Sequence, residues 1–260
     1  MDPLHLLTLA ALGAGAGLIG ALLGIGGGLL ITPLLTLIFG IPIELAIATS
    51  LVAIIGTSSA AASVYVERRL SDIRLGMTLE LTTTLGAVSG ALVAGLLSRR
   101  LLTALFATFL FYAGATMVRR ATNPRPIEDG VGDYRPRRMG LGLAISYLAG
   151  GISGLLGVGG GPIKVPLMYL VMGIPLKVAT ATSNFMIGVT AAASAYVYYA
   201  QGRVLVYPTA PVVVGVFVGS LVGSHLSRRV PGRWILWLFI LVMFYLAVSM
   251  AVKAARMGAT

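Results

Sequence analysis

Residues 24–33 read Gly-Ile-Gly-Gly-Gly-Leu-Leu-Ile-Thr-Pro, and residues 157–166 read Gly-Val-Gly-Gly-Gly-Pro-Ile-Lys-Val-Pro. The match extends outward at a constant offset of 133, through Gly40-Ile41-Pro42 with Gly173-Ile174-Pro175 and Ala48-Thr49-Ser50 with Ala181-Thr182-Ser183. The offset falls to 129 where Leu97-Ser98-Arg99-Arg100 meets Leu226-Ser227-Arg228-Arg229, so four residues are missing from the second copy in between. Self-similarity over so long a stretch is an internal duplication, and it fixes the organisation of the chain.

The duplicated material is membrane-like. Of 260 residues, 57% are hydrophobic and 10% charged, with a mean hydropathy of +0.95. Soluble domains carry roughly a quarter charged residues, so a water-soluble globule is excluded. At about 20 apolar residues per crossing the length holds roughly eight to ten membrane elements, with no room for an extramembrane catalytic domain. Apolar runs fall at 4–23, 29–39, 43–66, 75–97 and 101–118, and again at 139–156, 163–172, 176–200, 204–226 and 234–252. The polar stretch 119–138, with Asn123, Pro124, Pro126, Glu128, Asp129, Asp133 and Pro136, separates them as a basic connecting loop. Residues 1–118 are thus read as a first membrane repeat and 139–260 as a second.

A chain without cysteine has no disulfides, thiolate nucleophiles or sulfur-ligated metals, and His5 and His225 alone make no metal motif. No metal, cofactor or enzymatic chemistry is expected. The net charge of +11 comes mainly from residues in short connections, such as Arg68, Arg69 and Arg74, the arginines of 119–138, and Arg228, Arg229 and Arg233. Retention of basic loops inside the cell explains that distribution, and nucleic acid is not an expected partner. The start, Met1-Asp2-Pro3-Leu4-His5, lacks the basic region and cleavage pattern of a signal peptide, so the first apolar run is read as a retained membrane segment.

A duplicated membrane protein with Gly/Pro-broken segments at matching positions is the pattern of secondary transporters that bind between their repeats. Residues 4–39 as one helix would run about 54 Å, too long for one crossing, while 29–39 alone would span about 17 Å. Helix, break and half-helix fit better. If the pair re-enters, or crosses twice, each half makes an odd total and the halves are inverted; a single bent crossing would make them parallel. The inverted reading is favoured, and basic-residue counts fit a periplasmic N-terminus with inverted halves as well as a cytoplasmic one with parallel halves. The fold expected is all-α and polytopic, with two pseudo-symmetric repeats whose broken helices meet at the midplane.

Consecutive glycines at a half-helix opening expose backbone N–H groups to an anion. Gly26, Gly27 and Gly28 with Gly159, Gly160 and Gly161 therefore make the leading candidate substrate site. Lys164, whose repeat partner is Ile31, adds an ammonium inside an apolar run: a counter-charge for an anion, or a structural ion pair with Glu80, or a side chain reaching to an interface. Glu80 carries a coupling proton if buried and is merely solvated if interfacial. Thr49, Ser50, Thr182, Ser183 and Asn184 supply further donors, or else bond locally within their helices; the amide of Asn184 is the harder to satisfy that way. Glu44 and Lys177 are read as lying in wet loops. Tyr196, Tyr198 and Tyr199, with Trp234 and Trp237, read as interfacial anchors. The runs Gly86-xxx-Gly90 and Gly215-xxx-Gly219-xxx-Gly223 read as helix-packing surfaces.

The paired Gly-x-Gly-Gly-Gly-x-x-x-x-Pro motifs, each followed by Gly-Ile-Pro and Ala-Thr-Ser, resemble the TauE/SafE sulfite exporters, also called the toluene-sulfonate uptake permease family. The resemblance implies a multi-pass permease of a bacterial or archaeal inner membrane for small sulfur-containing anions such as sulfite and organosulfonates. Pro162 and Lys164 depart from the apolar residues usual in that family. Alternating access is the expected mechanism; an anion channel using the same donors is the alternative, and a membrane-embedded enzyme or scaffold is disfavoured. The lipid bilayer and a small anion are the expected partners, and general precedent for small permeases allows a homodimer.

Overall fold

The structure is a computed structural model that describes residues 3–23, 25–67, 70–122, 134–226 and 232–257. Gly24, Arg68, Arg69, Arg228, Arg229 and the part of the connecting loop at 123–133 lie outside the described residues. Among those described the fold is all-helical, with no strand. The first half contains α1 (Pro3–Leu23), α2 (Gly28–Leu37), α3 (Ile43–Glu67), α4 (Ile73–Leu96) and α5 (Arg99–Thr122). The second contains α6 (Met139–Leu156), α7 (Gly161–Pro166) continued by a π-helical turn (Leu167–Val171), α8 (Leu176–Ala200), α9 (Val206–Leu226) and α10 (Gly232–Arg256). Seven of these helices are long and apolar enough to cross a membrane. α8 is as long as α3 but carries Thr180, Thr182, Ser183, Asn184, Thr190 and Ser194, a polar content tolerable because it lies at the centre, packed on α3 and α4.

Packing follows the duplication. α3 meets α8 and α5 meets α10, each helix against its own repeat partner; α1 meets α9 as α6 meets α4. The α3/α8 pair is antiparallel: Ser58 donates to the carbonyl of Asn184 at 2.6 Å, while Ile54, earlier in α3, shares its neighbours with Ile187, later in α8. α5 and α10 are antiparallel too, with Phe111 and Phe244 5.9 Å apart and Arg100 beside Ala254 and Ala255.

The α1/α9 and α6/α4 pairs run parallel and rest on glycine. A Cβ on Gly86, Gly90, Gly215 or Gly219 would stand 2.0 Å from a carbonyl oxygen of the facing helix, at Tyr147, Gly151, Ala10 and Ala14 respectively. Backbone contact of this closeness is how membrane helices associate where no hydrophobic drive separates helix from lipid. The packing reading of both glycine runs therefore holds.

The short helices end where their longer neighbours begin. His5 lies 5.3 Å from Phe39 and 6.1 Å from Tyr207, so the start of α1, the end of α2 and the start of α9 share one side. On the other side Arg137 donates its amide to the carbonyl of Met172 at 3.0 Å, joining the start of α6 to the end of the π-helical turn. At about 15 Å, α2 is half the length a crossing requires.

Candidate functional site

Four glycines hold the backbone turns that end at the short helices. Gly26 and Gly27 have φ of +80° and +72°, and Gly159 and Gly160 have +77° and +76°. An L-residue pays about 1–2 kcal/mol in that region, so glycine is the residue the turn requires. The two turns come together on one pair of repeat-equivalent side chains. A Cβ on Gly26 would meet Ile187 Cγ2 at 3.3 Å and Ile54 Cγ2 at 3.8 Å; on Gly159 it would meet the same atoms at 2.8 and 3.4 Å. The leading sequence candidates are thus brought together, with Ile54 and Ile187 between them. Gly26, Gly27, Gly159, Gly160 and Gly161 donate their amides to no acceptor among the described residues.

The hydroxyl residues divide. Ser50 donates from Oγ to the carbonyl of Gly157 at 2.8 Å, tying the first half to the glycine turn of the second. Thr49 bonds Thr209 of α9, hydroxyl to hydroxyl at 3.0 Å, and its equivalent Thr182 accepts from the amide of Asp72 at 2.9 Å. Those two fasten α3 and α8 to their neighbours. Asn184 donates to the carbonyl of Thr180 within its own helix at 3.0 Å. Ser183, repeat partner of Ser50, is fully buried with a hydroxyl that has no partner among the described residues.

Lys164 and Glu80 form the ion pair that was one of three readings of the lysine. Nζ lies 3.3 Å from Glu80 Oε2 and donates to Thr190 Oγ1 at 2.7 Å, with the lysine 1% and the glutamate 6% exposed. Thr190 in turn donates to Glu80 Oε1, and Thr84 reaches the same oxygen at 3.4 Å. Lys164 does not reach to an interface, and Glu80 is not solvated. Thr190 was missed by sequence reading, since a threonine in an apolar helix carries no signal of a partner 110 positions away.

The cluster has no counterpart in the other half. Gly76 faces Thr182 as Thr209 faces Thr49, and Thr83 faces Gly150 as Val216 faces Gly17, both at an offset of 133. That offset still holds where Gly90 faces Gly151 as Gly223 faces Leu18, so the four absent residues fall after Gly90, and the place of Glu80 is taken by Val213 of α9. Across from it, Ile31 stands where Lys164 would be, fully buried.

At the membrane ends some expectations change. Glu44 sits in the first turn of α3, bonded to Arg99 at 3.0 Å, and Lys177 sits in the first turn of α8; neither is in a loop. Tyr196 and Tyr199 are exposed as interfacial anchors should be, but Tyr198 is fully buried, its hydroxyl 3.4 Å from the carbonyl of Leu155. Two residues from Tyr196 and one from Tyr199, which share a face at a spacing of three, it falls on a different face of α8. Tyr134, in the segment leading to α6, donates to Asp72 at 2.7 Å, and burial beside that carboxylate pushes its phenol above the ordinary range.

The sequence profile described as Sulfite exporter TauE/SafE matches residues 9–250. Among relatives, the Probable membrane transporter protein YunE of Bacillus subtilis is 28% identical over 255 residues, 90% of this chain and 93% of that protein. A Probable membrane transporter protein of Xylella fastidiosa is 30% identical, with 85% of each chain covered. The Sulfite exporter TauE/SafE family protein 3 of Arabidopsis thaliana is 39% identical over 109 residues, 40% of this chain and 22% of that one. No solved structure gives a significant match. With a profile match running nearly end to end and the paired glycine turns that the two halves bring together, the chain belongs to the TauE/SafE sulfite exporter family of membrane transporters.

Proposed function

We propose that this transporter moves small sulfur-containing oxyanions, sulfite or organosulfonates, across a cell membrane by alternating access. One observation carries the reading: two glycine turns, one from each half, abut the same Ile54 and Ile187, while Gly26, Gly27, Gly159, Gly160 and Gly161 have no amide acceptor among the described residues. Such amides, with the Ser183 hydroxyl that has no partner among the described residues, replace the hydration of an oxyanion at no side-chain cost. The antiparallel packing of α3 on α8 and of α5 on α10 supports inverted halves with re-entrant α2 and α7. The glycine turns and donor residues are all buried, so an anion enters only when the halves move, which favours a carrier over an open pore.

Purified protein in liposomes tests this with a panel of sulfite, sulfoacetate, sulfate, chloride and acetate. Saturable uptake of sulfite or a sulfonate, with chloride and acetate left behind, is the expected result. If folded protein moves none of the sulfur anions, the substrate assignment falls; channel-scale currents in a planar bilayer would replace the carrier with a pore.

A further inference from the structure

Resting on the transport reading above, we propose that the Lys164–Glu80–Thr190 cluster couples anion movement to protons, with Glu80 occupying the substrate's place on Lys164 until it is protonated. Among the described residues Lys164 has one carboxylate within reach, Glu80 at 3.3 Å, and both side chains are buried. A second anion arriving there would leave net negative charge buried in the membrane, which is costly. Charge stays balanced if one proton enters with each anion. Before exchange the cluster holds an ammonium and a carboxylate; afterwards it holds an ammonium, the anion and a neutral carboxyl, and no other bond is made or broken.

The surroundings fit such an exchange. Ser153 on α6 is fully buried with no hydroxyl partner among the described residues, and its Cβ and Lys164 Cε lie 3.5 and 3.3 Å from the same point above Gly160. It offers the arriving anion a donor. Thr190, which donates to the ionised Glu80, has a second acceptor in the Met186 carbonyl at 3.2 Å. It can turn its proton there and accept from a protonated Glu80 instead. Among the described residues Lys164 is the charged group that bonds Glu80; α8 adds Thr190 and α4 its own Thr84, while on α6 Tyr147 bonds Ser89 further along α4, and Arg74 and Lys177 lie exposed at helix ends. The first half retains only Thr57 in the place of Thr190, bonded to the Ala53 carbonyl at 3.4 Å, so a single coupling site gives one proton per anion.

The test uses proteoliposomes with sulfite and with methanesulfonate, which is ionised at every pH used, reading anion uptake and internal pH together. Wild type should take up a proton with each methanesulfonate, accumulate it about tenfold for each unit of inward pH gradient, and ignore membrane voltage. Glu80→Gln, which fixes the neutral form, should move the anion in response to voltage and not to pH. The double variant Lys164→Met, Glu80→Gln buries no charge and guards against a folding defect in the single variant; it should lose proton movement as well. Anion uptake by wild type with no accompanying proton, or pH-driven uptake that survives in either folded variant, overturns the coupling alone. Failure of wild type to move either anion under any gradient overturns the transport reading and the coupling with it.

Discussion

Gly159 holds φ at +77°, and a methyl group there would stand 2.8 Å from Cγ2 of Ile187, so two separate penalties meet at one residue. Gly26 carries the same strain, at +80°, with the looser distance of 3.3 Å, and Gly40 carries strain alone, at +66° with nothing within reach of a Cβ. Alanine at Gly40 should therefore cost about 1–2 kcal/mol, alanine at Gly26 slightly more, and alanine at Gly159 the most. Thermal unfolding in detergent ranks the three, and an equal cost at all three would mean that Ile187 yields freely. These glycines were legible as a site because a triplet of glycines repeated 133 residues on has no helical purpose. Lys164 and Glu80 were legible as charges out of place and their pairing as one of three readings of the lysine, but Thr190, which bonds both, looks like any helix threonine.

Between elements, glycine decides how close two helices come. Gly90 faces the Gly151 carbonyl and Gly219 that of Ala14, each with a would-be Cβ at 2.0 Å, whereas Gly15 on α1 faces open space. Alanine at Gly90 or Gly219 has to push α4 from α6 or α9 from α1, a cost of about 1–3 kcal/mol. Alanine at Gly15 should be neutral or stabilising by up to about 1 kcal/mol, because it gains helix propensity with no neighbour to displace. Melting temperatures of the three variants check both signs, and a loss at Gly15 matching the other two would show that these glycines matter for flexibility and not for contact. The spacing of these runs announced a packing surface, and the contacts narrow the place of the four-residue deletion. The facing residues keep the offset at 133 through Gly90 and Gly223, so the change to 129 falls between there and Leu97 and Leu226.

Across the whole molecule, the direction of each helix decides where the termini lie. Lys253, near the end of α10, donates to the Thr36 carbonyl at 2.6 Å, and His5 of α1 meets Phe39, so both chain ends stand on the α2 side. Tyr134 and Arg137 meet Asp72 and Met172 on the other. Charge alone left inverted and parallel halves level because each can bury a similar share of the 19 basic residues inside the cell. On the inverted reading proposed above, which the antiparallel packing of α3 on α8 supports, the basic residues Arg119, Arg120, Arg125, Arg135, Arg137 and Arg138 would retain the connecting segment in the cytoplasm, with both termini outside. The chain has no cysteine of its own, so single cysteines report without background. Cysteine at Arg135 should resist a membrane-impermeant maleimide in intact cells and react in inverted vesicles, while cysteines at Gly40, Gly202 and Met257 should do the reverse. Labelling of Arg135 and Met257 positions from the same side would rule out inverted halves, and with them the meeting of two re-entrant glycine turns from opposite faces on which the anion site depends.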